Sequence, residues 1–247
     1  MNEAVGRLII LAIGVSQHKY PEYNLRYPAS DAKALCVLMS KQVGLRFASV
    51  EQQLYVNERA TADNIRDGLS WLQRISTPED LVMVFIAGHG IRGRRGLYYM
   101  PHEGDPENLQ NTCLNWEDIG KGLTTTEAQQ IIFLSDVCHA GGFAKSELAM
   151  QKDLIISLSK LKNVLIFASS GADEVSSEFD RLRHGVFTWG LIHAFQPHVA
   201  GGDSLKLQDW VKRTIQVVQR ETSGQQNPFV PATGAYDRDT LIGRFPR

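Results

Sequence analysis

Apolar residues in this chain fall into two kinds of run. Leu8–Val15, Leu81–Ala87, Ile131–Ser135 and Val164–Ala168 are short and almost uninterrupted, as in strands buried on both faces, and a shorter run lies near Gln52–Val56. Between them, apolar positions recur at helical spacing. Ala34, Leu35, Leu38 and Met39 predict a helix from about Ser30 to Val43, capped by Ser30 or Asp31, and Ile65, Leu69 and Leu72 predict another opened by Thr61-Ala62-Asp63-Asn64. Helical patterns also cover 147–161, 186–195 and 205–220. Strands alternating with helices predict an α/β fold with a mainly parallel sheet. No linker-like stretch, repeat or low-complexity segment interrupts the 247 residues, so a single domain over 1–247 is expected. The stretch from Ile91 to Asn115 is long for an α/β loop, and Leu97-Tyr98-Tyr99-Met100 within it suits a small hairpin.

Composition narrows the class. With 43% hydrophobic and 21% charged residues, the chain has the balance of a soluble globular protein. A formal net charge of -1 gives no bulk attraction for nucleic acid. The apolar run at Leu8–Val15 is too short to span a membrane, so no membrane partner is expected. Three cysteines, Cys36, Cys113 and Cys138, lack metal-ligand spacing and suit a reduced, cytoplasmic setting, with no metal site.

The chemistry is concentrated after two of the strand-like runs. Gly88-His89-Gly90 follows Leu81–Ala87, and Asp136-Val137-Cys138-His139-Ala140-Gly141-Gly142 follows Ile131–Ser135. In an open α/β sheet, reactive groups meet a ligand at the carboxyl ends of the strands. A thiol and an imidazole there can form a thiolate with its proton carrier. Cys138 is therefore the candidate nucleophile and His89 the candidate acid/base, with glycines that let backbone approach a substrate carbonyl. His139 adjoins the cysteine and should point away from it, whereas His184 precedes a helix; both are weaker candidates than His89. Gly88-His89-Gly90-Ile91-Arg92-Gly93 also matches a dinucleotide fingerprint, but the residues that follow make a poor helix, so the match is read as accidental.

These residues resemble the caspase-like cysteine peptidases, and more closely their metacaspase and bacterial orthocaspase branches. The histidine lies 49 residues before the cysteine, near the caspase spacing. Asp136-Val137-Cys138-His139-Ala140-Gly141 is similar to the Asp-x-Cys-His-Ser/Ala-Gly form of metacaspases, and the caspase Gln-Ala-Cys is absent. His184-Gly185-Val186-Phe187-Thr188 resembles a segment that recurs in bacterial members, and the likeness runs from Leu8 to about Ile242. The resemblance implies a caspase-hemoglobinase sandwich, a mostly parallel six-stranded sheet flanked by helices. It implies a cysteine endopeptidase, with the amides of Gly90 and Cys138 forming the oxyanion hole. A bacterial stress or defence context is also implied.

In metacaspases the acid two residues before the cysteine and the acid of an Asn-Asp-Ala segment line the pocket for the residue before the scissile bond. The matching positions are Asp136 and Asp31, which implies a preference for Arg or Lys. Ala87 and Pro28 stand where the family has a serine and a cysteine. Calcium acts on some metacaspases, but the oxygen-ligand spacing of a calcium loop is absent and no cofactor is expected. Asp173, Glu174, Glu178 and Asp180 are read as a solvated loop, and Arg92, Arg94 and Arg95 as a mobile one. These arginines, with Lys145 and Lys152, are sites where self-processing would occur. The expected partners are a protein or peptide substrate and a separate regulatory protein. A monomer or weak dimer is expected, since Thr240-Leu241-Ile242 is too short to choose between family habits. The rival readings are a catalytically silent caspase-like interaction module and a nucleotide-binding α/β protein.

Overall fold

The structure is a computed structural model that describes residues 6–139 (138 and 139 as backbone), 163–170, 174, 176–196, 203–230 and 236–246. The buried run at the amino end forms β1 (Arg7–Gly14), which pairs in parallel with β2 (Ser49–Val56) on one side and β3 (Leu81–Gly93) on the other. β3 in turn pairs in parallel with β6 (Gln130–His139), and β6 with β7 (Val164–Ala168). Five parallel strands thus lie in the order β2-β1-β3-β6-β7. Beyond the end of β1, the last residues of β3 pair antiparallel with β4 (Gly96–Met100), and β4 with β5 (Leu114–Asn115). The described sheet therefore has seven strands instead of the expected six, because the Leu97–Met100 hairpin joins the main sheet. It remains mostly parallel.

Alternating side chains feed two cores. Leu8, Ile10, Met83, Phe85, Ile132, Leu134, Leu165 and Phe167 face α1 (Pro28–Ser40), α5 (Val186–Ala194) and α6 (Leu207–Glu221). Ile9, Leu11, Val82, Val84, Phe133 and Ile166 face α2 (Ala62–Ile75) and α4 (Trp116–Thr124). The short α3 (Leu109–Thr112) lies between β4 and β5. Ile9, Ile10 and Leu11 are fully buried, and each such side chain stabilises the fold by about 1.5–3 kcal/mol.

Several boundaries depart from expectation. α1 begins at Pro28, and neither Ser30 nor Asp31 caps it. Pro28 supplies the fixed φ of a first helical turn, while the Glu178 carboxylate accepts from the backbone N–H of Arg26 and Tyr27 just before it. α2 opens as expected, with the Thr61 side chain accepting from the Asn64 amide. α4 has no counterpart among the sequence-based elements; the signal was Asn115, whose side chain accepts from the Glu117 amide at 2.8 Å. The helix expected over 147–161 lies outside the described residues. Among the described residues, no helix is long and apolar enough to cross a membrane.

Candidate active site

The parallel ladder between β3 and β6 sets His89 opposite Cys138, Gly90 opposite His139 and Ala87 opposite Asp136. Neighbouring strands lie roughly 5 Å apart, so the histidine and cysteine backbones are adjacent. Both residues sit inside their strands and not just beyond them, as the sequence suggested. The β4 hairpin supplies partners that carry β3 as far as Gly93, and β6 follows it to His139. The path into His89 is unusual: Gly88 has φ +148, a conformation closed to most side chains. The Tyr99 hydroxyl donates to the Ala87 carbonyl at 2.9 Å and closes this corner.

The His89 ring is held by the loop after β1. Its Nε2 lies 2.9 Å from the Tyr23 carbonyl oxygen. A carbonyl only accepts, so Nε2 carries the proton. The buried Nδ1 is then the nitrogen that takes up or gives back a proton in the neutral ring. Tyr23 meets the His89 ring edge-on at 6.4 Å, and His18 packs on it at 5.3 Å with an angle of 34° between planes. Among the described residues neither ring nitrogen of His18 reaches a hydrogen-bond partner. Burial, and then the neighbouring His89, push its pKa down to about 4, with the Pro101 carbonyl acting the other way. His18 is therefore a neutral aromatic face at neutral pH. Sequence reasoning passed over it, although its place three residues after the Gly14-Val15 end of the first apolar run put it at the same sheet edge.

Asp31 and Asp136 converge. A Cβ built on Gly185 would stand 3.0 Å from Asp31 Oδ2 and 3.1 Å from Asp136 Oδ2, so both carboxylates border one point. Asp136 accepts from the Ser176 hydroxyl at 2.6 Å and the Thr188 hydroxyl at 3.2 Å. Its burial raises its pKa against the pull of these bonds. Asp31 accepts from the Gly185 amide at 3.0 Å and pairs with His184 Nδ1 at 2.5 Å. Burial pushes the Asp31 carboxyl up to about 7; the His184 bond opposes this and the Asp136 charge adds to it. His184 thus engages Asp31, whereas the Nε2 of His89 is held by Tyr23.

A model of the caspase domain, from peptidase family C14, matches residues 8–235. The chain belongs to the caspase-domain family. Among solved structures, protein GSU0716 from Geobacter sulfurreducens is similar at 14% identity, with a TM-score of 0.66 over 94% of this chain and 95% of that one. At that identity the likeness concerns the fold alone. No match was found among curated proteins.

Within this caspase domain, other expectations change. Glu178 is partly buried in a strand, whereas Asp180 lies in an exposed turn as expected. They belong to a hairpin of β8 (Glu178–Phe179) and β9 (His184–Gly185), and Asp180 pairs with Arg26 and with the Tyr27 hydroxyl. Glu174 accepts from the amide and side chain of Asn227. The partners of these acids were not legible because they lie about 50 to 150 positions away in sequence. Asp173, Lys145, Lys152 and the Gly141-Gly142 turn lie outside the described residues, as do the side chains of Cys138 and His139. Arg94 and Arg95 form the exposed turn between β3 and β4. Cys36 and Cys113 are buried, and burial pushes each thiol up to about 11, as in structural cysteines. Among the described residues, no group of three His, Cys, Asp or Glu side chains could hold a metal ion.

Proposed function

We propose that this caspase domain is a cysteine endopeptidase of metacaspase or orthocaspase type that cleaves after Arg or Lys. The carrying observation is the register that sets His89 opposite Cys138, with the proton of His89 held on Nε2 by the Tyr23 carbonyl. In this reading His89 Nδ1 takes the thiol proton and later returns it to the leaving amine. Cys138 attacks the scissile carbonyl, and the amides of Gly90 and Cys138 receive the developing oxyanion, a contribution of about 3–4 kcal/mol per donor. Water then resolves the thioester. Asp31 and Asp136 take the basic side chain through charge-assisted bonds. A reduced cytoplasmic setting, no cofactor and action as a monomer or weak dimer complete the proposal.

Purified protein incubated with Arg-, Lys- and Asp-ended fluorogenic peptides tests this reading. Cleavage after Arg or Lys is expected, lost in Cys138→Ala. Asp136→Asn should raise KM for Arg peptides while folding normally, because hydroxyls of Ser176 and Thr188 can reorient around an amide. Cleavage after Asp alone would overturn the pocket assignment. No cleavage of any peptide, with or without calcium, would favour a silent interaction module.

A further inference from the structure

The basic-pocket reading asks Asp31 and Asp136 to receive a cation, yet all four of their oxygens are already engaged. Ser176 and Thr188 hydroxyls donate to Asp136, and the Gly185 amide donates to Asp31 Oδ2. These three donors are neutral and form part of the pocket wall. The fourth, His184 Nδ1 at 2.5 Å from Asp31 Oδ1, differs in kind, because an imidazole can carry positive charge and give it up. Its side chain keeps 20% exposure beside an Asp31 side chain at 2%, so the proton of the pair has a way to solvent.

We propose that His184 is the resident counter-cation of Asp31 and a specificity-determining residue, whose proton is released when a basic side chain enters the pocket. The inference rests on the basic-pocket reading above. Before binding, Asp31 and His184 share one proton and are neutral together. A guanidinium then pairs with the Asp31 carboxylate, His184 is left as neutral imidazole, and one proton passes to solvent, so charge and atoms balance. A permanent cation at position 184 would hold the pocket closed. An apolar residue would leave two buried carboxylates without a counter-charge, which favours their protonation. Histidine fits both states.

The surroundings favour a proton on Asp31. Asp136 from β6 faces the pair and Glu178 from β8 acts on Asp136. Arg26 and Asp180 pair with each other at the exposed rim, and Arg183 precedes His184 on the hairpin. Burial and the Asp136 charge hold the Asp31 carboxyl near 7, against the His184 bond. Affinity for a basic ligand should then rise with pH, up to tenfold per unit below the titration of Asp31, and level off above it.

Agmatine, an arginine side chain without its carboxylate, is the probe. Calorimetry at pH 6.5 in phosphate and in Tris separates binding heat from proton release; wild type is expected to release close to one proton per agmatine bound. His184→Asn keeps a hydrogen-bond donor for Asp31 without a titratable charge. With no partner charge Asp31 should keep its proton to higher pH, so agmatine should bind more weakly than to wild type at pH 6 and the rise in affinity should be displaced toward higher pH. His184→Lys should weaken binding tenfold or more at both. The ring 13C shifts of His184 in the wild-type protein give a reading free of variants, and agmatine at pH 6.5 should move them toward neutral imidazole. Agmatine binding without proton release, or the same pH dependence in His184→Asn as in wild type, overturns the role of His184 alone. No binding of agmatine at any pH overturns the basic pocket and the inference with it.

Discussion

The Tyr23 carbonyl accepts the Nε2 proton of His89 at 2.9 Å, and so the loop after β1 decides which nitrogen of the ring carries the proton. That loop is itself tied down. His102 Nδ1 donates to the Gln17 carbonyl at 2.7 Å, and the Lys19 amide donates to the His102 carbonyl at 2.8 Å. The turn after β4 therefore braces the loop that braces the His89 ring. A tautomer defined by a backbone carbonyl does not depend on any one side chain.

His89→Ala should lower kcat about 10²–10⁴-fold with the fold retained by circular dichroism. His102→Ala removes the bond to Gln17 and loosens the loop, so kcat should fall by less while KM for Arg peptides holds. Steady-state kinetics with one Arg peptide checks both. An equal change in KM would mean that the loop shapes the pocket too.

His18 makes the fold acid-sensitive. Its pKa is about 4 in the folded chain, against about 6.5 when unfolded. Between these values the unfolded chain binds a proton that the folded one refuses, so stability falls as pH drops from about 6.5 toward 4. Asp31, raised to about 7, acts oppositely, since its folded form binds the extra proton and stability falls as pH rises from about 4 to 7. The comparison with a variant isolates one group. His18→Phe keeps an aromatic face on His89, and its melting temperature should fall less between pH 7 and pH 5 than that of wild type. Equal falls would show that His18 is protonated without cost.

The strands, and the register that sets His89 opposite Cys138, follow from local information. Apolar runs such as Val164–Ala168 matched the strand residue for residue, and glycine-flanked His89 carried its own signal. That Asp31 and Asp136 deserved to be singled out came from the family likeness, not from physics; the structure shows that they border one point beside Gly185. The partners of Glu178, Asp180 and His184 were not legible for one reason. Each finds its partner across 151 to 154 positions, and no local pattern records which helix end a surface acid will cap. His18 escaped because an unpaired buried imidazole looks like any loop histidine until the neighbouring ring is placed.

Gly88 should resist substitution more than its place in a strand suggests. A Cβ there would sit 3.0 Å from the Tyr99 hydroxyl oxygen, on a backbone with φ +148. Such strain costs about 1–3 kcal/mol, and at this size 1 kcal/mol lowers the melting temperature by about 2–4 °C. Gly88→Ala should therefore melt roughly 2–12 °C lower and lose activity, because His89 follows directly. Gly14→Ala is harsher. Its Cβ would meet the Pro28 carbonyl oxygen at 2.1 Å, backbone against backbone, so the start of α1 would be pushed off the sheet and little soluble protein is expected.

Glu178 links the hairpin to the pocket. Its two carboxylate oxygens accept from the Tyr27 amide at 3.1 Å and the Arg26 amide at 3.3 Å, which fixes the start of α1 three residues before Asp31. Glu178→Ala leaves those amides without the carboxylate, a loss of about 1 kcal/mol by analogy with other helix caps. The amides of Ala29–Ala32 should then exchange hydrogen faster. The effect on catalysis should divide unequally. Asp31 rides on α1, whereas His89 and Cys138 lie on β3 and β6, so KM for Arg peptides should rise several-fold while kcat stays within about twofold. Glu178→Gln keeps one acceptor and should fall between the two. High salt should widen the gap, since the exposed Arg26–Asp180 pair that shares the latch weakens as ions screen it. If kcat falls as far as KM rises, the hairpin positions the dyad as well as the pocket, and the separation of the two sites along α1 and β3 fails.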